Sequence, residues 1–261
     1  MRSTSGDHRY GPNVCLLSEP TLVSLLAKLC SPDVYQPQIN SIIERLYARL
    51  AAYAIDQEFP LQRLRIATRM TATHPNSPLE LDALDQEQRA VVVNLARAGT
   101  YPSHICYSLL NECLNPRVVR QDHILASRAV DANEKVTGTA IGGAKIGGDV
   151  EGAIVLFPDP MGATGNTICS ALAHYKNVVG GAAKRYVALH LIVTPEYLRR
   201  TLRDHPDLHI IALRVDRGLS EPTVLKAVPG EYWDLERGLD DKHYIVPGGG
   251  GFGEVMNNSF V

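Results

Sequence analysis

Four short apolar segments, set between segments with helical periodicity, restrict the fold of this 261-residue chain more than any other feature. They read RAVVVNL, GAIVLF, RYVALHLIV and LHIIALRV. Short runs rich in Val, Ile and Leu are typical of strands that are buried on both faces. Buried strands that alternate with helices predict an α/β fold, in which a mostly parallel twisted sheet is flanked by helices.

Apolar residues at helical spacing predict the helices around that sheet. The first helix follows Pro20, because proline suits the first turn of a helix. The helix after RYVALHLIV has Thr194 as its predicted N-cap and Pro195 at its first position. Residues 59–86 predict only loops and short strands, and residues 129–150 are polar and rich in glycine. The predicted helices cover residues 22–29, 39–55, 105–114 and 168–175 and a segment that starts at 195.

The charge and the hydropathy of the chain exclude several classes of protein. A net charge of −2 gives no general electrostatic attraction to nucleic acid. No apolar run approaches the roughly 18 residues that span a bilayer. The first residues, MRSTSGDHRYGPN, are polar and have no signal-peptide core, so we expect residues 1–20 to form a flexible N-terminal tail. These features predict a cytoplasmic protein with neither a nucleic-acid nor a membrane partner.

Neither the cysteines nor the histidines indicate a structural metal site. His205 and His209 have helical i, i+4 spacing, but Pro206 lies between them. The number of cysteines is odd and no two of them are closely spaced, which predicts buried thiols in a reducing compartment. The five are Cys15, Cys30, Cys106, Cys113 and Cys169.

The GAIVLF strand ends in an unusual loop, because Asp159 and Pro160 are followed by small and hydroxyl residues up to Thr167. In an open parallel sheet, ligands bind beyond the carboxyl ends of the strands. Glycines let the backbone close around an anion, and the amides at a helix N-terminus supply partial positive charge. The loop therefore predicts a binding site for a phosphate monoester.

A plain turn between strand and helix is the alternative to a phosphate site. A nucleotide P-loop is disfavoured because this loop contains no lysine. Asp159 favours a bound ligand over a plain turn. A carboxylate beside a phosphate group repels it unless the carboxylate faces sugar hydroxyls, so the ligand should carry both groups. Phosphate together with ribose is the consistent interpretation.

The loop DPMGATGNT resembles the phosphoribosyl pyrophosphate (PRPP) motif of type I phosphoribosyltransferases, in the form DPM-x-ATGG-[ST] usual in uracil phosphoribosyltransferases. The RAG sequence that begins at Arg97 resembles that family's turn beside pyrophosphate, and Arg128 falls where the family has a second PRPP-binding arginine. The TPE sequence at Thr194 is similar to the family's usual A-P-E. HYIVPGGGGFGE resembles its C-terminal signature, Y-I-V-P-G-x-G-D-x-G-D. The resemblance extends from about Thr21 to Phe252.

This resemblance implies a type I phosphoribosyltransferase fold over residues 21–261, with an N-terminal helical arm and a C-terminal base-binding loop region. It also implies that uracil and PRPP react to give UMP and pyrophosphate, a pyrimidine salvage reaction. Mg²⁺ is the expected cofactor, held through substrate and water rather than by a protein cage. A homodimer or larger homo-oligomer is expected, and GTP is a candidate allosteric activator.

The resemblance assigns roles to individual residues. Asp159 takes the ribose hydroxyls, Arg97 and Arg128 (the latter from a mobile loop) neutralise pyrophosphate, and these three are the candidate catalytic residues. The other candidate PRPP-binding residues are Pro160, Met161, Gly162, Ala163, Thr164, Gly165, Asn166, Thr167 and Gly251. The candidate uracil-binding residues are Tyr244, Ile245, Gly250, Gly251 and Phe252.

The chain departs from the family pattern at several positions in these motifs. Gly162 replaces the usual Leu, and Asn166 replaces a Gly in the phosphate loop. Gly251 stands where the family has an acid that contacts PRPP, which puts catalysis in question, while Glu254 replaces Asp and Val255 replaces Arg. About twenty extra residues, around positions 218–238, precede the C-terminal signature.

Other interpretations stay open at this point. The alternative role for Arg128 is that of a solvated surface charge. The alternative role for Phe252 is hydrophobic packing. At the level of function, the alternatives are a regulator that binds UMP or PRPP without catalysis and a phosphoribosyltransferase for another base.

Overall fold

A computed structural model describes the backbone of residues 6–130 and 136–259 and, outside residues 126–130 and 136–140, their side chains. The strands are β1 (Val14–Leu16), β2 (Leu61–Ile66), β3 (Leu79–Leu84), β4 (Ala90–Ala96), β5 (Val119–Val130), β6 (Val136–Lys145), β7 (Ile154–Pro158), β8 (Met161–Gly162), β9 (Arg185–Val193) and β10 (Leu208–Val215). The α-helices are α1 (Pro20–Leu29), α2 (Gln38–Glu58), α3 (Thr100–Cys113), α4 (Asn166–Asn177), α5 (Pro195–Asp204), α6 (Pro222–Lys226) and α7 (Phe252–Val255).

Within the described residues, an eight-stranded sheet has the order β1-β10-β9-β7-β4-β5-β6, and the short β8 also pairs with β9. All neighbouring pairs are parallel except β5 with β6, which is antiparallel. Strands β2 and β3 form a separate antiparallel hairpin. The prediction of an α/β fold with a mostly parallel sheet flanked by helices is confirmed.

The core lies on both faces of the sheet, because side chains alternate along each strand. In β7, Leu156 packs with residues of α2 and α3, whereas Val155 and Phe157 pack with residues of α4 and α5. All three side chains are fully buried. This two-sided burial explains why the central strands appear in the sequence as continuous apolar runs rather than as alternating ones.

The strands predicted from apolar runs agree with the structure, but β1 and β6 were missed. Strand β6 lies within residues 129–150, where the sequence is polar and rich in glycine. Among the described strands it pairs with β5 alone, and its described side chains, at 141–145, are exposed or half-buried. An edge strand of this kind needs no apolar run. Helix α3 likewise starts earlier than predicted, at Thr100.

Of the flexible tail predicted for residues 1–20, the structure describes residues 6–20, and it corrects the prediction for these residues. Strand β1 pairs in parallel with β10 at the edge of the sheet. The ring of Tyr10 is buried against Trp233, and its hydroxyl donates to Glu236 Oε2 over 2.6 Å. A polar sequence with one well-placed tyrosine and a three-residue apolar strand is enough to fix this segment.

The extra residues around 218–238 are anchored by one buried carboxylate, that of Glu236, which is fully buried. It accepts hydrogen bonds from Arg217 Nη1 over 2.6 Å and from the Gly230 amide over 2.8 Å, besides the Tyr10 hydroxyl. The segment therefore packs against the amino-terminal residues and connects β10 to the C-terminal glycines. Among the described helices, none has both the length and the apolar character that crossing a bilayer requires.

Candidate active site

Three connected loops form the candidate site at one edge of the sheet. Asp159 follows β7, Arg97 follows β4 and Thr194 follows β9. These strands are neighbours and parallel, so their carboxyl ends meet at the same edge. The structure thus brings together motifs that are about one hundred residues apart in the chain.

The phosphate loop, residues 159–167, passes from β7 through β8 into the start of α4. Gly165 caps that helix with a φ of 79°, a left-handed conformation that favours glycine. The Thr164 hydroxyl accepts a hydrogen bond from the Asn166 amide over 3.3 Å, which tightens the turn. The loop lines a small cavity of about 70 Å³ together with Tyr197. Its amides and the N-terminus of α4 suit an anion.

Asp159 and Thr164 are both half-buried, not fully exposed as loop residues often are. The Asp159 carboxyl lies deep in the site, and desolvation raises its pKa to about 7 despite a hydrogen bond from the Met161 amide that favours ionisation. An acid with this pKa changes charge near neutral pH. Such perturbation is typical of functional carboxylates.

A buried histidine, His190, forms a hydrogen bond with the backbone of Asp159 and was not among the residues predicted from the sequence. Burial lowers its pKa to about 4, so the imidazole is neutral at pH 7. Its Nδ1 lies 2.5 Å from the Asp159 carbonyl oxygen, which can only accept, so Nδ1 carries the proton. Its Nε2 therefore accepts from the Tyr197 hydroxyl, also at 2.5 Å. Because His190 lies within an apolar strand, the sequence alone did not indicate this role.

The ring of Tyr197 explains why glycine replaces leucine at position 162. A Cβ atom on Gly162 would lie 2.9 Å from Val193 Cγ1 and 3.0 Å from Tyr197 Cδ2, closer than real contacts allow. The space that a side chain at 162 would use is already filled. The departure from the family pattern is a consequence of packing and leaves the phosphate loop intact.

The TPE motif links the phosphate loop to the segment before the C-terminal signature. The Thr194 hydroxyl donates to the Ala163 carbonyl over 2.7 Å and accepts from the Tyr197 amide, as predicted for an N-cap. Two residues later, Glu196 accepts the Gly238 amide at 2.9 Å. One short turn thereby fixes two loops relative to each other.

Arg97 contacts the C-terminal segment directly. Its Nη1 donates to Ser259 Oγ over 3.0 Å, and its Nη2 lies 3.5 Å from Glu254 Oε1. The turn that holds it is crowded, because a Cβ on Gly99 would lie 2.7 Å from the Leu95 carbonyl oxygen. The predicted pyrophosphate arginine and the predicted base-binding loop are therefore neighbours.

The carboxylate of Glu254 fills the place of the acid that is missing at position 251. A Cβ on Gly251 would lie 2.2 Å from Glu254 Oε2. Gly251 has a φ of −81°, which residues other than glycine also adopt. An acidic group thus stands beside Arg97 even though residue 251 itself has no side chain.

The predicted uracil-binding residues differ in how far their side chains are exposed. The Phe252 ring is buried and packs in the core, as the alternative of hydrophobic packing expects. The Tyr244 side chain is mostly exposed, and Ile245 is half-buried. Gly250 has a φ of 80° and open space around its Cα. A flat base could approach the backbone there.

The structure does not place the Arg128 side chain, which lies outside the described residues. Its backbone belongs to β5 and pairs with Thr139 of β6, so the backbone is in a strand, not in the loop that was expected. Among the described residues, no three His, Cys, Asp or Glu side chains are grouped as a protein metal cage requires.

The fold and this site together define an α/β protein of the type I phosphoribosyltransferase class. The family model for uracil phosphoribosyltransferase matches residues 16–234. The chain therefore belongs to the uracil phosphoribosyltransferase family.

Individual relatives are similar at low identity but over most of their length. The uracil phosphoribosyltransferase of Thermoanaerobacter sp. (strain X514) is 22% identical over 84% of this chain and 93% of its own. Uracil phosphoribosyltransferase 1 of Schizosaccharomyces pombe is 27% identical over 75% of this chain and 74% of its own. The solved structure of the AQ2163 protein from Aquifex aeolicus superposes with a TM-score of 0.69 at 20% identity, covering 93% of this chain and 97% of that one.

Proposed function

We propose that this protein is a uracil phosphoribosyltransferase that converts uracil and PRPP to UMP and pyrophosphate. Uracil N1 forms a bond to ribose C1, and the C1–O bond to pyrophosphate breaks with its electron pair. The proton on uracil N1 passes to water. The observation that carries this proposal is the phosphate loop with Asp159 at its start, joined through the TPE motif to the C-terminal signature.

The phosphate loop binds the 5′-phosphate of PRPP. Amides between Ala163 and Thr167, the hydroxyls of the two threonines and the N-terminus of α4 supply hydrogen bonds and partial positive charge. Asp159 accepts hydrogen bonds from the ribose hydroxyls in its ionised form. His190 and Tyr197 hold the Asp159 backbone in place, so the sugar is oriented by a fixed group.

Arg97 and Arg128 neutralise the pyrophosphate as it departs, and Glu254 supplies the acid that residue 251 lacks. Mg²⁺ prefers oxygen ligands and keeps several waters, and the half-exposed Glu254 carboxylate beside Arg97 fits such an ion. When bound together with PRPP, largely through substrate and water, the ion would supply charge that offsets the pyrophosphate oxygens. Pro160, Met161 and Gly162 shape the loop rather than contact the reacting atoms.

Product analysis tests the function and separates it from the two alternatives. The protein is incubated with PRPP, Mg²⁺ and uracil, cytosine or hypoxanthine, and nucleotides are identified by mass spectrometry. UMP from uracil is the expected product. Another nucleotide would indicate a different base, and tight PRPP binding without any nucleotide product would indicate a regulator. Asp159→Asn and Thr164→Ala are both expected to weaken PRPP use, and full activity of both would remove the site assignment.

The family resemblance also motivates proposals about regulation and assembly. We infer a cytoplasmic homodimer or larger homo-oligomer whose activity GTP increases. Light scattering after size exclusion measures the assembly. The rate of UMP formation with and without GTP measures the activation, and a rate unchanged by GTP would contradict it.

A further inference from the structure

One ion pair at the end of β10 attaches the C-terminal glycine loop, residues 248–251, to the sheet. Arg214 Nε donates to Asp216 Oδ1 over 2.5 Å, and Arg214 Nη2 donates to Asp216 Oδ2 over 2.8 Å. The two residues are two apart on an extended segment, so their side chains lie on the same face. The Asp216 side chain is only 2% exposed. Charge-assisted, bidentate pairs of this kind have well-defined geometry.

Both members of the pair also hold the backbone of Gly248. The Gly248 amide donates to Asp216 Oδ2 over 2.7 Å, and the Gly248 carbonyl accepts from Arg214 Nη2 over 3.0 Å. Gly248 has a φ of 64°, and a Cβ there would lie 2.2 Å from the Ile245 carbonyl oxygen. The ion pair therefore fixes a tight turn from two sides.

Beyond Gly248, packing around the glycine loop is uneven: a Cβ on Gly249 would lie 2.8 Å from the Phe252 ring, whereas Gly250 has open space around it. A Cβ on Gly250 would meet no atom within 4 Å. A cavity of about 380 Å³ lies beside Gly249 and Gly250, between the glycine loop and the α1–α2 connection. Arg214 Nη2 also lies 3.8 Å from Cys30 Sγ, which lines this cavity. The hydrogen bonds to Gly248 thus help to fix the loop up to Gly250, where no packing contact does so.

We propose that Arg214 and Asp216 are positioning residues for the base: by fixing the peptide groups of Gly248, they set the direction of the backbone N–H and C=O groups that read uracil. This proposal rests on the proposed function. Neither residue touches the phosphate loop, so removing the pair should impair use of uracil and spare use of PRPP.

A second Arg-x-Asp pair in the same chain provides a matched control. On β5, Arg120 Nε donates to Asp122 Oδ1 over 3.1 Å, and the Asp122 side chain is fully buried. Asp122 accepts the Gly147 amide at 2.9 Å, and Arg120 donates to the Gly148 carbonyl over 2.9 Å. This pair holds glycine backbone in a similar way near the start of β5, which lies on the other side of the sheet from β10.

The experiment compares Asp216→Asn and Arg214→Gln with the control Asp122→Asn. Because a misplacement of 1 Å can lower rates about 100-fold, we expect the KM for uracil to rise about 10- to 100-fold in both loop variants. The KM for PRPP should stay unchanged. Hydrogen exchange followed by mass spectrometry should show faster exchange in residues 246–251. The control should lose thermal stability while the ratio of the two KM values stays at the wild-type value.

Equal changes in both KM values, or a wild-type KM for uracil in a folded loop variant, would overturn the proposal. If Asp216→Asn fails to fold, Arg214→Gln decides, since it breaks the bidentate pair while the Asp216 carboxylate still accepts the Gly248 amide. If the wild-type protein forms no UMP, the proposed function fails. Hydrogen exchange alone then tests whether Arg214 and Asp216 fix the glycine loop. Exchange in residues 246–251 that matches the wild type would then reject the positioning role.

Discussion

At the scale of single residues, Glu254 decides whether the glycine at position 251 is compatible with catalysis. Its carboxylate lies where a side chain at 251 would begin and contacts Arg97. We expect Glu254→Gln to lower kcat/KM for PRPP more than for uracil. The loss of one such contact should cost about 1–3 kcal/mol, not the whole rate enhancement.

Adding an acid back tests this substitution directly. Gly251→Asp in the Glu254→Gln background should restore PRPP use, because the backbone at 251 suits an aspartate and the acid returns to the same place. In the wild-type background, Gly251→Asp should be tolerated, since the Glu254 side chain can turn away. If the double variant is as impaired as Glu254→Gln alone, the hypothesis that Glu254 takes the role of an acid at position 251 is wrong. Steady-state kinetics in both substrates measures each outcome.

Asp159 gives a pH dependence with a defined sign. Burial raises the pKa of its carboxyl from 3.8 to about 7. The stability contributed by the protonated form is fully present below pH 3.8 and is lost as the pH rises through about 7. Asp159→Asn should therefore raise the Tm of the ligand-free protein at pH 8, with a gain that shrinks towards pH 4.

Asp149 provides the control of opposite sign. A hydrogen bond from Arg89 lowers the pKa of Asp149 to about 2, so its contribution is present above 3.8 and is lost as the pH falls through about 2. Asp149→Asn should not raise the Tm at pH 8. A Tm gain for Asp159→Asn that is independent of pH would contradict the desolvated state of its carboxyl.

At the scale of elements, β8 and α5 pack so closely that only glycine fits at position 162. We expect Gly162→Ala to destabilise the protein by about 1–3 kcal/mol, because the added methyl group overpacks the space beside Val193 and Tyr197. Urea denaturation measures the change. Gly180→Ala is the matched control: its Cβ would lie 3.9 Å from the nearest side chain, in ordinary contact distance. Equal stability of the two variants would remove this explanation of the family departure.

The same elements show what a sequence can and cannot predict. Strands β9 and β10 were predictable because burial on both faces leaves continuous apolar runs. The phosphate loop was predictable because its residue types are local and specific to its chemistry. The roles of His190 and Tyr197 were not predictable. A histidine within an apolar strand can be assigned a role only from its hydrogen-bond partners, which become its neighbours on folding. Strand β1 was missed because its three residues are stabilised by β10, about two hundred positions away.

At the scale of the whole molecule, distant segments converge on the proposed base-binding loop and the residues that flank it. The end of β10 holds Gly248, the TPE motif holds Gly238, and the turn after β4 meets Glu254. Gln36, before α2, also donates to the Met256 carbonyl over 2.7 Å. The loop is short of side chains, but its backbone is fixed by these contacts. Under the proposed function, the base is read by peptide groups that the entire fold positions.

Fixed peptide groups predict strong discrimination between uracil and cytosine. An N–H group that donates to uracil O4 would face the amino group of cytosine, and a C=O group that accepts from N3–H would face a lone pair. Each buried mismatch costs about 1–3 kcal/mol, so two mismatches should lower kcat/KM for cytosine by roughly 10²- to 10⁴-fold. Competition between the two bases for a limiting amount of PRPP, with product nucleotides separated by chromatography, measures the ratio. Comparable values for the two bases would show that the backbone does not read the base, whatever else the loop does.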